Sequence, residues 1–430
     1  MTQNTRFGGN KNDLRSRDNT KRVINLASQS GPKYIFNDNN WSDIANTYNW
    51  CNGSGTKNDP YVIKDLYFTT EPKNVYWTWP STTIFIENTL EYFQIRNCTF
   101  FNCNDAIKLE NVSNGEIINN IFTETDSNAI ILNKCNNLTI SNNNFTETYY
   151  NPIKLNNCND VNISRNFIYA SDSSPIFIDS SVHMNISRNI IEGGSNYGIH
   201  LVNVNDSYIE DNIVNFTGGG YCKIAIEYSN HNIIFNNSLI NVGGNGLIIY
   251  HSNFNFISNN SIKGCSQGIE IFKNSLQNKI LHNEIKTYDT GIYVQDYCNS
   301  NAVVENEIKI DEEYGYSDGI AYGIYLDSSN LNNVSLNYIK TEGEGITLFS
   351  SNMSFILNNT IYHLKGKCIG EYNCVNNTIL GNICIRIPIP VDLSFIYGLI
   401  IAISICALVA AGAVIYYLRI RKRKLEKEIK

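Results

Sequence analysis

The sequence is poor in charge and in residues that bind metals. Its 430 residues include three methionines and six histidines, and no C-x-x-C pair occurs among its twelve cysteines. The cysteine spacings match no zinc or haem motif, and the glycine and aspartate nonapeptide that binds calcium is absent. We therefore predict neither a metal nor a cofactor. Charged residues make up 17% of the chain, against about 25% in ordinary globular proteins.

The chain carries a net charge of −7 that is unevenly distributed. Both ends are basic, and the long body between them is acidic. An acidic body repels phosphate backbones, so we do not expect nucleic acid as a partner.

The central part of the chain has no repeating helical pattern, but it repeats asparagine at a fixed spacing. The interval is 23 residues, with two longer gaps of 25 and 31 residues. The repeated positions are Asn97, Asn120, Asn143, Asn166, Asn189, Asn212, Asn237, Asn260, Asn283, Asn306, Asn337, Asn359 and Asn382. Units this short bury an apolar face only by stacking on copies of themselves, which predicts a solenoid.

Strand-like alternation precedes each repeated asparagine, with two apolar residues around one variable residue. Examples are Ile130-Ile131-Leu132, Ile153-Lys154-Leu155 and Ile199-His200-Leu201. The fold class is therefore all-β, a parallel β-helix of about 13 coils of ~23 residues that rise by about 4.8 Å each. We expect the asparagines to stack at one turn of every coil. There they would adopt left-handed backbone angles and hydrogen-bond along the stack.

Several segments make the chain similar to a known family. The opening GSGTKNDPYVI at 53–63, the stretch IFIENTLEYFQIRNCTF at 84–100 and the recurring G-I-x-L…N-x-I units resemble the NosD-like right-handed parallel β-helix family. The resemblance covers roughly residues 53 to 385 and implies a right-handed solenoid and an archaeal-type, membrane-anchored surface protein. The family's repeats are associated with carbohydrate-binding and sugar-hydrolase domains. Its name also implies copper handling, for which the few methionines and unpaired histidines supply poor ligands.

We divide the chain into six parts. They are a disordered basic segment at 1–32, an N-terminal cap at 33–60, the β-helix at 61–385, a proline-containing linker at 386–394, a transmembrane helix at 395–418 and a basic tail at 419–430. The cap includes a short amphipathic helix at Asn40–Tyr48, and all four tryptophans lie near this end. Two insertions, at 217–223 and 310–322, interrupt the repeat, and insertions in solenoids often border a binding face.

The C-terminal segment predicts a single-pass membrane protein. Residues 395–418 are uncharged and long enough to span a bilayer, and five cations follow from Arg419 to Lys424. The positive-inside rule places this tail in the cytoplasm and the β-helix outside. The first 32 residues show no secretory signal, so the true start lies upstream, or the protein is tail-anchored with its body in the cytoplasm. We favour the first alternative, which also fits the many N-x-Ser/Thr sequons of a glycoprotein.

Two pairs of glutamates are candidate catalytic residues. Glu87 and Glu110 lie one repeat apart, which predicts a separation of about 5 Å, as in retaining glycosidases. Glu227 and Glu270 are expected at equivalent positions two coils apart, about 9.6 Å, near the upper limit for inverting enzymes. Cys135 and Cys158, also one repeat apart, are expected to be stacked free thiols.

Outward aromatic residues lie near the second glutamate pair. We expect Tyr250, Phe272, Tyr293 and Tyr325 to share one face and to offer flat rings on which sugars stack. A carbohydrate-binding or structural ectodomain is the favoured function. The alternatives are a polysaccharide-active enzyme, either a glycoside hydrolase or a lyase, that uses the same face, and an accessory protein of a membrane complex, as the NosD resemblance implies.

Overall fold

The structure is a computed structural model that describes residues 33–35, 37–69, 82–215, 221–240, 243–310, 321–388, 403–404 and 407–421. The chain divides into two units, Met1–Arg386 and Ile387–Lys430. The segment 1–32 that the sequence predicts to be disordered lies outside the described residues, as do most of both insertions, most of the linker and the end of the basic tail.

The N-terminal cap is built from β1 (Lys33–Ile35), α1 (Asp38–Thr47) and β2 (Cys51–Asn52). The amphipathic pattern thus predicted the helix correctly. Its Trp41 is fully buried and stacks on Tyr61 of the first coil at 5.0 Å. The Trp41 indole N–H donates to the hydroxyl of Thr89 at 3.1 Å. These contacts cover the open end of the solenoid, where strand edges would otherwise be exposed.

The strands after the cap are short. The first group is β3 Tyr61–Lys64, β4 Tyr67–Thr69, β5 Thr82–Thr89, β6 Phe93–Arg96, β7 Thr99–Phe101, β8 Asp105–Val112, β9 Gly115–Ile118, β10 Ile121–Thr125, β11 Ile130–Asn133, β12 Asn136–Ser141, β13 Asn144–Thr148, β14 Ile153–Asn156, β15 Asn159–Ser164 and β16 Phe167–Ser171. The second is β17 Ile176–Asp179, β18 Asn185–Ser187, β19 Ile190–Glu192, β20 Tyr197–Val202, β21 Tyr208–Glu210, β22 Ile213–Asn215, β23 Cys222–Glu227, β24 Ile233–Phe235, β25 Ser238–Ile240, β26 Asn245–Tyr250, β27 Phe256–Ser258 and β28 Ser261–Phe272. The third is β29 Lys279–Leu281, β30 Glu284–Val294, β31 Ala302–Val304, β32 Glu307–Ile310, β33 Tyr322–Asp327, β34 Asn333–Ser335, β35 Tyr338–Thr341, β36 Glu344–Phe349, β37 Phe355–Leu357, β38 Thr360–His363, β39 Ile369–Tyr372, β40 Thr378–Leu380 and β41 Ile383–Arg386.

Each coil contributes a first, a second and a third strand, as in β5, β6 and β7. The strands of each coil pair in parallel with their counterparts one coil on, for example β11 with β14 and β12 with β15. β28 and β30 each run through a corner and serve as the third strand of one coil and the first strand of the next. The cap strand β2 pairs antiparallel with β3. The second strands form a 15-stranded sheet, which we call the second sheet, and the first and third strands form a 26-stranded sheet. The result is an all-β, right-handed parallel β-helix of about 12 turns, close to the number expected.

The core is a set of apolar stacks that run along the solenoid. Ile130, Ile153 and Ile176 occupy one such stack and are fully buried. Nearer the cap, the rings of Phe100 and Phe122 stack at 4.8 Å and 6°. Identical side chains meet at the rung spacing of about 4.8 Å, which brings their carbon atoms into van der Waals contact.

The predicted asparagine ladder is present. The Asn189 side-chain oxygen accepts from both the backbone N–H and the amide of Asn166, each at 3.0 Å. The Asn189 amide donates in turn to Asn212 at 3.0 Å and to the Ile163 carbonyl at 2.8 Å. The ladder continues across the gaps of 25 and 31 residues, through Asn237 and Asn337. Buried backbone groups at this corner are therefore satisfied on each described rung.

Two details of the ladder differ from the prediction. The left-handed residue is the one before each ladder asparagine, such as Asn119, Arg165 or Leu336 with φ of 56°, 55° and 59°. The asparagine itself turns its amide inward to reach the neighbouring coils. Asn97 is consequently not a ladder residue, because it takes the left-handed position with φ of 54°, and the ladder position belongs to Cys98.

A second asparagine ladder lies at another corner. The Asn255 amide donates to Asn278 at 3.1 Å, and the Asn278 amide donates to Asn301 at 3.1 Å. Asn232 and Asn332 extend the series at either end. This ladder has the same 23-residue spacing over most of its length. The sequence therefore carries a signal for it, although the predicted series of asparagines does not include these positions.

The last coil contains a disulfide between Cys368 and Cys384. It ties the final strand β41 to the residue that precedes β39. Further along, residues 403–404 and 407–421 are helical. Within the residues that the structure describes, no helix is both long and apolar enough to cross a membrane. Ten positions of the predicted span, 395–402 and 405–406, lie outside those residues.

Removing one ladder amide tests its contribution to stability. Asn189→Ala leaves the Asn166 donors and the Ile163 carbonyl without their partner inside the protein. We expect it to lower the free energy of unfolding by roughly 3 kcal/mol, because each unsatisfied buried group costs about 1–3 kcal/mol. The matched control is Asn144→Ala at an exposed strand position, for which we expect a change under about 0.5 kcal/mol. Equal losses in denaturant titrations would show that the ladder is not stabilising.

Candidate ligand-binding face

The predicted aromatic residues lie on one outer surface, formed by the first strands of successive coils. Tyr250 pairs with Phe272 across β26 and β28, and Tyr293 pairs with Tyr325 across β30 and β33. The two pairs form separate columns, because Glu270 and not Phe272 aligns with Tyr293. We call the surface carrying these four rings and Glu270 the tyrosine face.

The predicted equivalence of Glu227 and Glu270 is wrong. Glu227 aligns with Tyr250, which aligns with Phe272, so the residue equivalent to Glu227 two coils on is Phe272. Glu270 lies two residues earlier on that strand. Two rungs of about 4.8 Å and two residues of about 3.3 Å put the Cα atoms of the two glutamates roughly 12 Å apart. Paired carboxylates in inverting glycosidases lie about 6.5–9.5 Å apart, which is less than this Cα separation.

Glu270 is held in place by two amides from neighbouring coils. The Asn245 side-chain amide donates to one carboxylate oxygen at 2.6 Å, and the Gln295 amide donates to the other at 2.7 Å. Burial raises the pKa of the Glu270 carboxyl, and these hydrogen bonds only partly offset the increase. Glu270 is thus an oriented, partly desolvated acceptor at the centre of the tyrosine face.

The rings of the tyrosine face mostly cover one another. Tyr293 and Tyr325 are parallel within 4° at 5.0 Å, and Tyr322 stacks on Tyr325 at 4.8 Å. Tyr250 and Phe272 meet at 4.8 Å with a tilt of 51°. The expectation of flat, open rings therefore does not hold for Tyr293 and Tyr325, because stacking along the solenoid hides the ring faces.

Burial also affects the tyrosine hydroxyls. It raises the pKa of Tyr325 to about 12, with a further contribution from the Asp327 carboxylate. The pKa of Tyr293 is raised by the same two causes. Both hydroxyls therefore remain protonated at neutral pH and can donate hydrogen bonds to a ligand.

Glu227 is engaged with a histidine. The His200 Nε2 atom lies 3.1 Å from the Glu227 carboxylate, and both side chains are largely buried. The ring of Tyr197 packs against His200 at 4.2 Å. His200 reaches over Ala225, with which it is paired in the sheet, so the small alanine side chain makes this contact possible.

The candidate pair nearest the cap, Glu87 and Glu110, is adjacent as predicted. The two residues are paired across β5 and β8, about 4.8 Å apart. The Glu110 carboxylate lies 3.3 Å from the Lys108 ammonium group. The sheet therefore brings this pair together, while it separates Glu227 from Glu270.

The described residues do not fit a copper site. Among them, no three His, Cys, Asp or Glu side chains come together in a way that could hold a metal ion. Burial raises the pKa of the Cys98 thiol to about 12 and that of Cys103 to about 11, which disfavours the thiolate that binds copper. Cys135 and Cys158 are buried free thiols on successive coils, as expected.

An acidic cavity of about 290 Å³ lies elsewhere, at a corner of the early coils. Glu124 and Glu147 occupy successive rungs there, both with left-handed backbone angles, and Asp126 and Asp172 flank Tyr149. Sequence reasoning missed these residues, although the 23-residue interval between Glu124 and Glu147 pointed to them.

The raised pKa of Glu270 makes a testable prediction. The Glu270 carboxyl makes its full contribution to stability while it is protonated, and this contribution is lost as pH rises from about 4.3 through the raised value. Glu270→Gln removes that loss, so its stability relative to wild type should increase with pH over this interval. Denaturant titrations between about pH 3 and pH 7 measure the difference.

Glu284→Gln provides a control of opposite sign. A hydrogen bond from Lys263 lowers the pKa of Glu284. Wild type gains stability from this carboxylate as pH rises from the lowered value to about 4.3, so the variant's relative stability should fall there. Parallel curves for the two variants would contradict the environment described for Glu270.

Comparisons with known proteins agree with the fold. A family model described as the periplasmic copper-binding protein (NosD) matches residues 170–321, and one described as a right-handed beta helix region matches residues 82–220. No curated protein matches the chain.

Solved structures of low sequence identity were also found. The mannuronan C-5 epimerase AlgE6 A-module of Azotobacter vinelandii is 12% identical, with a TM-score of 0.47, 76% of this chain covered and 90% of that one. PfbA, a surface adhesin of Streptococcus pneumoniae, is 14% identical, with a TM-score of 0.41 and coverage of 67% and 84%. The tailspike of E. coli bacteriophage HK620, in complex with a hexasaccharide, is 8% identical, with a TM-score of 0.48 and coverage of 73% and 71%.

The two family models together cover residues 82–321, in which strand after strand pairs in parallel with its counterpart one coil on. The chain is a right-handed parallel β-helix protein, and its residues 170–321 are similar to the NosD family.

Proposed function

We propose that this protein is a membrane-anchored surface ectodomain that binds an extended polysaccharide on the tyrosine face. The observation that carries the proposal is the environment of Glu270, a carboxylate fixed by Asn245 and Gln295 beside aromatic side chains. Oriented acceptors beside aromatic edges are typical of sites that bind hydroxyl-rich ligands. A structural ectodomain without a ligand would not require such an arrangement.

The repeat of the solenoid suits a repeating ligand. Successive rungs advance by about 4.8 Å, similar to the advance of one sugar residue in an extended chain. The ligand would accept hydrogen bonds from the hydroxyls of Tyr293 and Tyr325 and donate to Glu270. Because most ring faces are covered, hydrogen bonds rather than stacking would provide most of the affinity, and each contact would be weak.

The proposed location is the outer surface of the cell membrane, with the β-helix outside and the C-terminus in the cytoplasm. The uncharged span 395–418 would anchor the chain, and the cations after Leu418 would hold the tail inside. The disulfide between Cys368 and Cys384 supports this location, because thiols stay reduced in the cytosol of most organisms. Exposed sequon asparagines such as Asn111 and Asn144 would carry glycans.

A polysaccharide-active enzyme is the second candidate. The raised pKa of Glu270 favours it, because burial shifts this carboxyl in the direction that a general acid requires. Glu227 is a poor partner at roughly 12 Å between Cα atoms, since paired carboxylates in glycosidases lie about 5–9.5 Å apart. The third candidate, an accessory protein of a membrane complex, would have to act without a copper site in the described residues.

A double variant tests the tyrosine face. Phe272→Ala with Tyr293→Ala removes one ring from each column, and we expect it to abolish retention in affinity gels of long polysaccharides, in which chain ends are rare. The matched control is Tyr208→Ala with Phe256→Ala, which removes two outward rings of the second sheet. It should lower the melting temperature by a similar amount and leave glycan binding unchanged.

Three outcomes would count against glycan binding on this face. Wild type that binds no glycan would favour a purely structural ectodomain. Equal losses in both double variants would place the binding elsewhere. A wild type that shortens a polysaccharide, with Glu270→Gln inactive, would favour the enzyme, because the amide keeps the side-chain shape but transfers no proton.

Protease protection tests the location. A protease added to intact cells should degrade the β-helix and leave an epitope on the tail at 419–430 protected, because the positive-inside rule keeps this tail in the cytoplasm. Permeabilised cells provide the control, in which the tail is also cleaved. Loss of the tail with survival of the β-helix would show the opposite orientation.

A further inference from the structure

A second polar cavity, of about 280 Å³, lies at the N-terminal end of the second sheet, away from the tyrosine face. Its lining includes Lys57, Tyr92, Gln94, Glu116, Asn137 and Thr139. Phe93, which also lines the cavity, is a core residue that stacks on Trp41 of the cap. The six polar residues belong neither to the cap contacts of Trp41 nor to either asparagine ladder. The polar side of the cavity therefore needs an explanation other than the stability of the solenoid.

The roof of this cavity is the loop at 53–60, which the structure holds rigidly. The Ser54 N–H donates to the Asp59 carbonyl at 3.0 Å, and Thr56 and Asp59 form an antiparallel bridge. The Tyr92 N–H donates to the Gly55 carbonyl at 2.9 Å and fixes the loop to the sheet. Gly55 has a φ of 78°, and a side chain there would clash with the Glu91 carboxylate. The roof is thus formed before any ligand arrives.

The floor is an outward column of hydrogen-bonding side chains. Gln94, Glu116 and Thr139 occupy successive rungs of β6, β9 and β12. The Gln94 amide donates to Glu116 at 2.9 Å, and the Asn137 amide donates to Asn114 at 2.7 Å. Each amide has committed one N–H to a neighbour, so its second N–H and its carbonyl oxygen remain for a ligand.

The lining determines the chemistry of the ligand. The lining offers both donors and acceptors, so a ligand whose groups both donate and accept, as sugar hydroxyls do, is favoured. Lys57 and Glu116 bring opposite charges, so neither a polyanion nor a polycation gains net attraction. The volume is near the lower limit of ligand cavities, about 300 Å³, which suits one sugar residue better than several. The loop at 53–60 bounds the cavity at the capped end of the solenoid.

We propose that this cavity binds the terminal residue of a neutral, linear glycan. The terminal sugar sits beneath the loop at 53–60, its hydroxyls donate to Glu116 and to the carbonyl oxygens of Gln94 and Asn137, and the rest of the chain leaves along the second sheet. The site is independent of the tyrosine face, because it lies on a different sheet and uses none of the same residues.

Titration calorimetry on the full-length chain tests this site. The probes are neutral tetrasaccharides of glucose, mannose, galactose and N-acetylglucosamine, together with α-cyclodextrin, which has no terminal residue. At least one linear tetrasaccharide should bind, and the cyclic sugar should not. Thr139→Phe fills the cavity from an outward strand position and should weaken binding at least about tenfold.

The matched control is Thr378→Phe, the same substitution in the same outward column at the other end of the solenoid. It should leave binding unchanged, as should Phe272→Ala with Tyr293→Ala on the tyrosine face. Melting temperatures of Thr139→Phe and wild type confirm that the variant is folded. No tetrasaccharide binding, full binding by Thr139→Phe, equal binding of α-cyclodextrin, or loss only in the tyrosine-face variant would each overturn the proposal.

Discussion

A side-chain amide that hydrogen-bonds to the next coil determines how this protein is assembled. The ladder asparagines from Asn120 to Asn359 are buried, accept from the coil before and donate to the coil after, as Asn189 does between Asn166 and Asn212. An unpaired amide in that position would cost about 1–3 kcal/mol, so coils that slip in register are disfavoured. The same contact crosses the two long gaps, which allows insertions to leave the solenoid without changing its register.

The register then decides which outward residues become neighbours. The step from Tyr250 to Phe272 is one residue shorter than the step from Glu227 to Tyr250, yet both pairs align. Glu270 is consequently surrounded by Asn245 from the coil before and Gln295 from the coil after. A functional site on this scaffold therefore forms from side chains of neighbouring coils, which are about 22 to 25 positions apart in the sequence and share no local motif.

Structural features that repeat from coil to coil could be predicted from the sequence, whereas features confined to a single coil could not. Asparagine spacing and apolar alternation predicted the solenoid, the ladder, the cap helix and the adjacency of Glu87 and Glu110. Glu227 and Glu270 are 43 residues apart, three fewer than two 23-residue repeats, so the interval in the sequence already places them out of register. The corner at Gly264–Ser266 is one residue shorter than the corner before it, which reduces the offset from three residues to two. The Cys368–Cys384 disulfide, 16 residues apart, also falls outside the repeat. Ring orientation in a column follows from packing, which outward alternation alone does not specify.

Hydrogen exchange at single-residue resolution tests the ladder most directly. Backbone amides at the corners of a solenoid exchange quickly when they face water, whereas the Asn166 and Asn189 N–H groups donate to buried side-chain oxygens. We predict that these amides exchange as slowly as those of the buried strand residues Ile163 and Ile186. Fast exchange at the ladder positions, alongside protected strands, would contradict the central role of the ladder.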